Sequence, residues 1–146
     1  MEASLELHKV TRVLGLRRRK GSYSLLDFGQ DIARGLPVSS FDTVRKAVAP
    51  DMPSFASLIA SAATVKRHRK NQTPLNPAQS ERLARIAQVW ALAMDVYQDE
   101  ETARMFLRRP HHLLHGRTPL EVAAESSPGA RSVEQILGRL KYGSAA

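Results

Sequence analysis

Beyond Ser40, apolar residues recur at helical spacing, and short polar stretches with clear capping signals separate the runs. Phe41, Val44 and Val48 fall at i, i+3 and i+7. Pro50 stops that helix because its ring nitrogen has no proton to donate. A second short helix over residues 54–58 carries Phe55 and Leu58, with Ile59 following. Ser61 can cap a third, over residues 61–70, in which only Val65 is strongly apolar, so most of its surface must face solvent or a ligand. Three short helices with brief connections have a helix-turn-helix layout.

Downstream the signals are stronger. Asn76, Pro77 and Gln79 form a variant of the capping box, with proline at the first helical position. The helix they open carries Leu83, Ile86, Ala87, Trp90, Met94 and Tyr97 on one face. Val89, Leu92 and Val96 widen that stripe, which predicts a central helix packed on two sides. Asp99 caps the next helix; Glu100 and Glu101 lie in its first turn, Arg104, Arg108 and Arg109 towards its end, and Pro110 stops it. Thr118-Pro119-Leu120-Glu121 is a full capping box. Ser127-Pro128-Gly129 reads as a turn, and Ser132 with Gln135 opens a last helix whose stripe is Val133, Ile136, Leu137 and Leu140, closed by Gly143. Towards the N-terminus, residues 4–16 can form a short helix with Leu7, Val10, Val13 and Leu14 on one side, followed by a loop or flexible arm at Arg17-Arg18-Arg19-Lys20. Strand-like alternation is almost absent. The expectation is an all-α chain: an extension over 1–35, a helix-turn-helix module over 36–74, and a C-terminal helical module over 75–146.

Charge changes this picture. The net charge is +8, unevenly spread: residues 1–72 hold 13 basic and 6 acidic side chains (+7), residues 73–146 hold 9 and 8 (+1). A positive N-terminal half suits a phosphate backbone, where each neutralised phosphate releases counterions. Anionic lipid is the competing polyanion, but no long amphipathic helix with an aromatic face accompanies the charge. With 0 cysteines there is no disulfide, thiolate nucleophile or Cys-ligated zinc, in keeping with a reducing cytoplasm. No stretch reaches the roughly 20 apolar residues of a membrane helix, and Met1 to Val10 lacks the apolar core of a signal peptide.

The sharpest candidate for chemistry is Thr64-Val65-Lys66-Arg67-His68-Arg69-Lys70. Were Val65 to anchor this helix to a core, Lys66, Arg67, Arg69 and Lys70 would spread around its exposed arc. Arginine suits bidentate contact with guanine, while lysine and Thr64 suit phosphate. The run also fits a solvated helix end, where cations favour the C-terminal dipole; the charge asymmetry and the two preceding short helices tip the balance to DNA. The 17–20 run fits a backbone-tracking arm or a solvated loop. His111, His112 and His115 lack a carboxylate at ligand spacing and sit after a proline, so they read as a turn cluster rather than a metal site. Glu100 with Glu101 reads as dipole compensation, and Trp90 with Tyr97 as core or dimer contacts. With no phosphate loop, nucleophile elbow or HExxH, neither an enzyme nor a cofactor is expected.

Taken in order, the pieces resemble a known family. Arg34-Gly35-Leu36-Pro37 precedes the three-helix unit, and Leu75 leads Gln79-Ser80-Glu81-Arg82-Leu83-Ala84-Arg85-Ile86. Thr102 to Leu107, Leu114-His115-Gly116-Arg117-Thr118-Pro119-Leu120-Glu121 and the ending Gly129…Val133…Ile136-Leu137-Gly138-Arg139-Leu140-Lys141-Tyr142-Gly143 follow. The arrangement over about residues 36–143 resembles the Xre/MbcA/ParS-like antitoxins, which pair with RES-domain toxins. The resemblance implies an N-terminal module that binds operator DNA and autorepresses. It also implies a C-terminal module that docks on an NAD-consuming or ADP-ribosylating toxin, its final helix and tail occluding the NAD cleft, and a homodimer within a larger complex. Carried over by position, DNA reading falls on Ser61, Thr64, Lys66, Arg67 and Arg69, joined by Lys70 from the basic run, and toxin blocking on Arg139, Lys141, Tyr142, Gly143 and Ser144. Ile59 stands where a glycine is common, Ala62 and Ala63 occupy the start of the reading helix, and Phe106 stands at a core position where tryptophan is usual. Two alternatives stay open: a stand-alone helix-turn-helix regulator with a C-terminal dimerisation module, and an antitoxin whose helix-turn-helix no longer reads DNA.

Overall fold

The computed structural model describes residues 2–16 and 22–143, with side chains from Glu6 onward. The elements are helices α1 (Glu2–Val13), α2 (Leu25–Arg34), α3 (Val38–Val48), α4 (Ala62–Asn71), α5 (Pro77–Tyr97), α6 (Glu100–Arg108), α7 (Pro119–Glu125) and α8 (Ser127–Tyr142), with 3-10 turns at Pro53–Leu58 and His112–Leu114. No strand occurs among the described residues; His111 and Arg117 form an isolated bridge. The all-α expectation holds. The Arg17–Lys20 arm and Ser144 lie outside the described residues.

The chain forms two compact units, residues 1–84 and 85–146, which divide inside α5 rather than in the polar stretch around residue 74. Backbone pairing accounts for this. Leu75 N–H donates to the Leu36 carbonyl at 2.9 Å, and Leu36 N–H donates to the buried Ser80 hydroxyl at 2.8 Å. The first turns of α5 thereby belong with α2, α3 and α4. Gly35 makes the approach possible: its φ is +104°, and a Cβ there would lie 2.2 Å from the Leu75 carbonyl oxygen. The Gly35-Leu36-Pro37 signature is thus a backbone clasp. Within this unit Phe41 and Phe55 pack with ring centroids 5.6 Å apart, and Val44, Ile59 and Val65 close the core beneath α4.

Helix α2 went unread in the sequence because its pattern misleads. Leu25 and Leu26 are each 72% exposed, and the only buried residue of the helix is Phe28. What starts it is polar: Ser24 and Asp27 form a capping box. Helix α3 begins at Val38, two residues before the expected Ser40. The second short helix is a 3-10 helix of 6 residues, opened by Pro53.

In the second unit, Ile86, Val89 and Trp90 of α5 are buried, as are Leu107, Leu120, Val133 and Leu137 from α6, α7 and α8. Arg85 donates to the last-turn carbonyls of α7, reaching Ala123 O at 2.9 Å and Ala124 O at 2.6 Å, so a cation sits at the negative end of that dipole. The expected turn at Ser127-Pro128-Gly129 is the first turn of α8. Ser126 caps it, accepting from Gly129 N–H at 3.0 Å, and Pro128 is tolerated because first-turn amides have no intrahelical acceptor. Gly129 lies against α7, where a Cβ would come within 2.2 Å of the Val122 carbonyl oxygen. Leu140, expected on the apolar stripe of α8, is 52% exposed, while Val133, Ile136 and Leu137 are buried.

Candidate nucleic-acid interface and C-terminal tail

Helix α4 is built as a presented helix. The Ser61 hydroxyl accepts from Thr64 N–H at 3.1 Å and donates to Thr64 Oγ1 at 2.8 Å, so both hydroxyls are engaged in starting the helix. Arg82 donates to the Ile59 carbonyl at 2.9 Å, pinning the preceding turn to α5. Ile59 needs no glycine there: its φ is −104° and its side chain is buried. Gln72, with φ 55°, ends α4 in the left-handed region, and Thr73 N–H returns to the His68 carbonyl at 3.0 Å. The His68 ring lies between Thr73 Oγ1 at 2.9 Å and Gln79 Oε1 at 3.0 Å. Gln79 Oε1 also accepts from Asn76 N–H at 2.9 Å, so a single amide oxygen serves both the capping box of α5 and the strut from α4.

Val65 anchors the helix at 4% exposure. At about 100° per residue, Lys66, Lys70, Ala63 and Arg67 occupy the arc opposite it. All four are exposed, and Lys66, Arg67 and Lys70 have no acidic partner among the described residues. Ala63, one turn before Arg67, keeps that arc shallow. Arg69 differs. It lies about 40° round from Val65, on the flank facing α3, where its Nη2 pairs with Asp42 Oδ1 at 2.7 Å. Of the cations expected on the open arc, three are there and Arg69 is held to one side. Asp42 gave no signal in the sequence, because only the fold brings it to Arg69.

The end of α8 carries the second constellation. Arg139 is exposed, with no acidic partner among the described residues. Tyr142 is 69% exposed, and Gly143 ends the helix at φ +83°. Lys141 is ion-paired with Asp95 of α5, and its ammonium lies 5.5 Å from the centre of the Tyr142 ring. The hydrogen bond to Asp95 raises the Lys141 pKa above the ordinary lysine value. A raised lysine pKa means stabilisation that is complete below the ordinary value and lost as pH rises through the shifted one. At neutral pH the tether is therefore fully made, and salt rather than pH weakens it. Asp95, like Asp42, was missed for want of a sequence signal.

Phe106, expected in the core, is half-buried in an aromatic run, with its ring 5.9 Å from Tyr97 and 6.0 Å from His111. His111 stacks on His112 at 4.9 Å and accepts from Leu113 N–H, so it shapes the turn. No group of three potential metal ligands converges among the described residues, and no helix among them is long and apolar enough to cross a membrane.

A unit of short helices that presents a basic α4, followed by a second helical unit, has the layout of a helix-turn-helix protein with a further C-terminal module. Residues 27–88 match the family model described as the antitoxin Xre-like helix-turn-helix domain. Residues 92–143 match the antitoxin Xre/MbcA/ParS C-terminal toxin-binding domain. No curated protein matches the chain. With the two matches adjacent and in this order, the chain belongs to the Xre/MbcA/ParS antitoxin family.

Proposed function

We propose that this antitoxin neutralises a RES-domain toxin that degrades NAD or transfers its ADP-ribose to a protein, and that it autorepresses its own operon as a homodimer within a larger complex. The toxin-facing part is the C-terminal module. Its tail enters the NAD cleft, with Arg139, Lys141, Tyr142, Gly143 and Ser144 occupying the space of the dinucleotide. The choice of a RES partner rests on the resemblance carried by Gly116-Arg117-Thr118-Pro119-Leu120 and the ending Leu140-Lys141-Tyr142-Gly143.

The observation that best supports the tail mechanism is the bare last turn of α8, where Leu140 and Tyr142, each more than half exposed, alternate with Arg139 and Lys141. A cleft that holds the flat rings of a dinucleotide can hold an aromatic side chain in their place, and the exposed Tyr142 ring, with the Lys141 ammonium over it, supplies one at the helix end.

DNA binding is assigned to the arc of Lys66, Arg67 and Lys70, with Ser61 and Thr64 starting the helix; Arg69, expected with them, is set apart by its pairing with Asp42. Replacing Lys66 and Arg67 together by alanine removes two exposed cations that no core contact needs. Retention on the region upstream of the gene should weaken by about a hundredfold, with toxin neutralisation unchanged. Wild-type retention by the double variant would remove α4 as the reading helix. Failure of the wild type to bind would favour an antitoxin that no longer reads DNA.

A further inference from the structure

We propose that Asp42 is a specificity-determining residue: it holds Arg69 away from the phosphate backbone and so restrains sequence-independent binding to DNA. The inference rests on the DNA-binding reading of α4 and goes beyond it, since it concerns discrimination rather than binding.

The pair joins α3 to α4, with Arg69 Nη2 to Asp42 Oδ1 at 2.7 Å and the two side chains 54% and 37% exposed. An ion pair so open to water adds little to stability. Its consequence lies in the field at the rim of the reading helix. Four cations, Lys66, Arg67, Arg69 and Lys70, fall within five residues, and phosphate attraction of that density operates on any sequence. Lys66, Arg67 and Lys70 lie on the arc that meets base edges and the adjacent backbone. Arg69 lies on the α3 flank, from which a guanidinium reaches past the groove to backbone rather than to bases. Asp42 acts there twice. It occupies the donors of Arg69, and its own carboxylate repels a phosphate approaching along α3. Both effects weaken contacts common to every duplex and leave the base-reading arc untouched, which widens the gap between specific and non-specific affinity.

The test uses the full-length protein and a random-sequence duplex, with affinity measured across a salt series. Asp42→Asn keeps the shape of the side chain and removes its charge. It should tighten binding to random duplex about three- to tenfold at moderate salt and steepen the logarithmic salt slope by about 0.9, the increment for one added phosphate contact. Adding Arg69→Gln to Asp42→Asn should return the slope to the wild-type value, and circular dichroism and melting should be unchanged throughout. An unchanged or weaker affinity in Asp42→Asn overturns the inference, as does a gain that survives intact in the double variant. If the wild type binds no duplex even at low salt, it is the DNA-binding reading that fails. In that event a shift gained by Asp42→Asn still supports restraint of Arg69, and no gain overturns it.

Discussion

Gly35→Ala should lower the melting temperature by about 10 °C or more, the largest stability effect expected of any single methyl group in this chain. Two independent costs combine. At φ +104° an L side chain is strained, and the new Cβ would stand 2.2 Å from the Leu75 carbonyl oxygen. Neither side can yield cheaply, because Leu75 and Leu36 are hydrogen-bonded through their backbones and Leu36 is tied to the buried Ser80. The combined loss is about 3–5 kcal/mol, a large share of the stability of a small domain. Gly29→Ala supplies the contrast. That glycine lies within α2 with nothing in the space a Cβ would take, so alanine there should stabilise by about 0.5–1 kcal/mol. Thermal melts of the two variants should move in opposite directions. A Gly35→Ala protein that melts with the wild type contradicts the clasp.

Deleting residues 139–146 should abolish toxin neutralisation while leaving the fold standing. Leu137 is the last buried side chain of α8, and the described residues beyond Gly138 are all exposed, so the deletion removes no core. Cells expressing the toxin with the truncated chain should die as they do with toxin alone, even where the two proteins still co-purify through the rest of the C-terminal module. Rescue that survives the deletion undiminished would make the tail mechanism wrong and place inhibition elsewhere on the module. Asp95→Asn should have a milder effect of the same sign, since it frees Lys141 from its tether and leaves the helix end to be ordered at the moment of binding.

Helices that open on a clear cap beyond Ser40 were legible in the sequence. The pairs Ser61–Thr64, Asn76–Gln79 and Thr118–Glu121 all form, because a cap is a local interaction that depends on few neighbours. Helix α2 was not legible, since its two leucines face solvent and its single buried residue, Phe28, gives no periodicity. The start of α8 was misplaced because Ser-Pro-Gly is both turn chemistry and an acceptable helix entry, and only the close approach of Gly129 to α7 decides between them. The site was legible in its residue types but not in their partners. Arg69 and Lys141 stand in the sequence as free cations; the fold gives each an aspartate on another helix, and no local pattern announces Asp42 or Asp95.

If, as proposed, the partner toxin consumes NAD, then intracellular NAD together with ADP-ribosylation of protein is the most direct readout of neutralisation. The product of the adjacent reading frame should be expressed alone, with the full chain, and with the chain lacking residues 139–146. Loss of NAD or ADP-ribosylation of a protein is expected in the first and third cases and neither in the second. Growth arrest by the neighbouring product alone with NAD normal and no protein ADP-ribosylated, or either change appearing despite the full chain, would contradict the account.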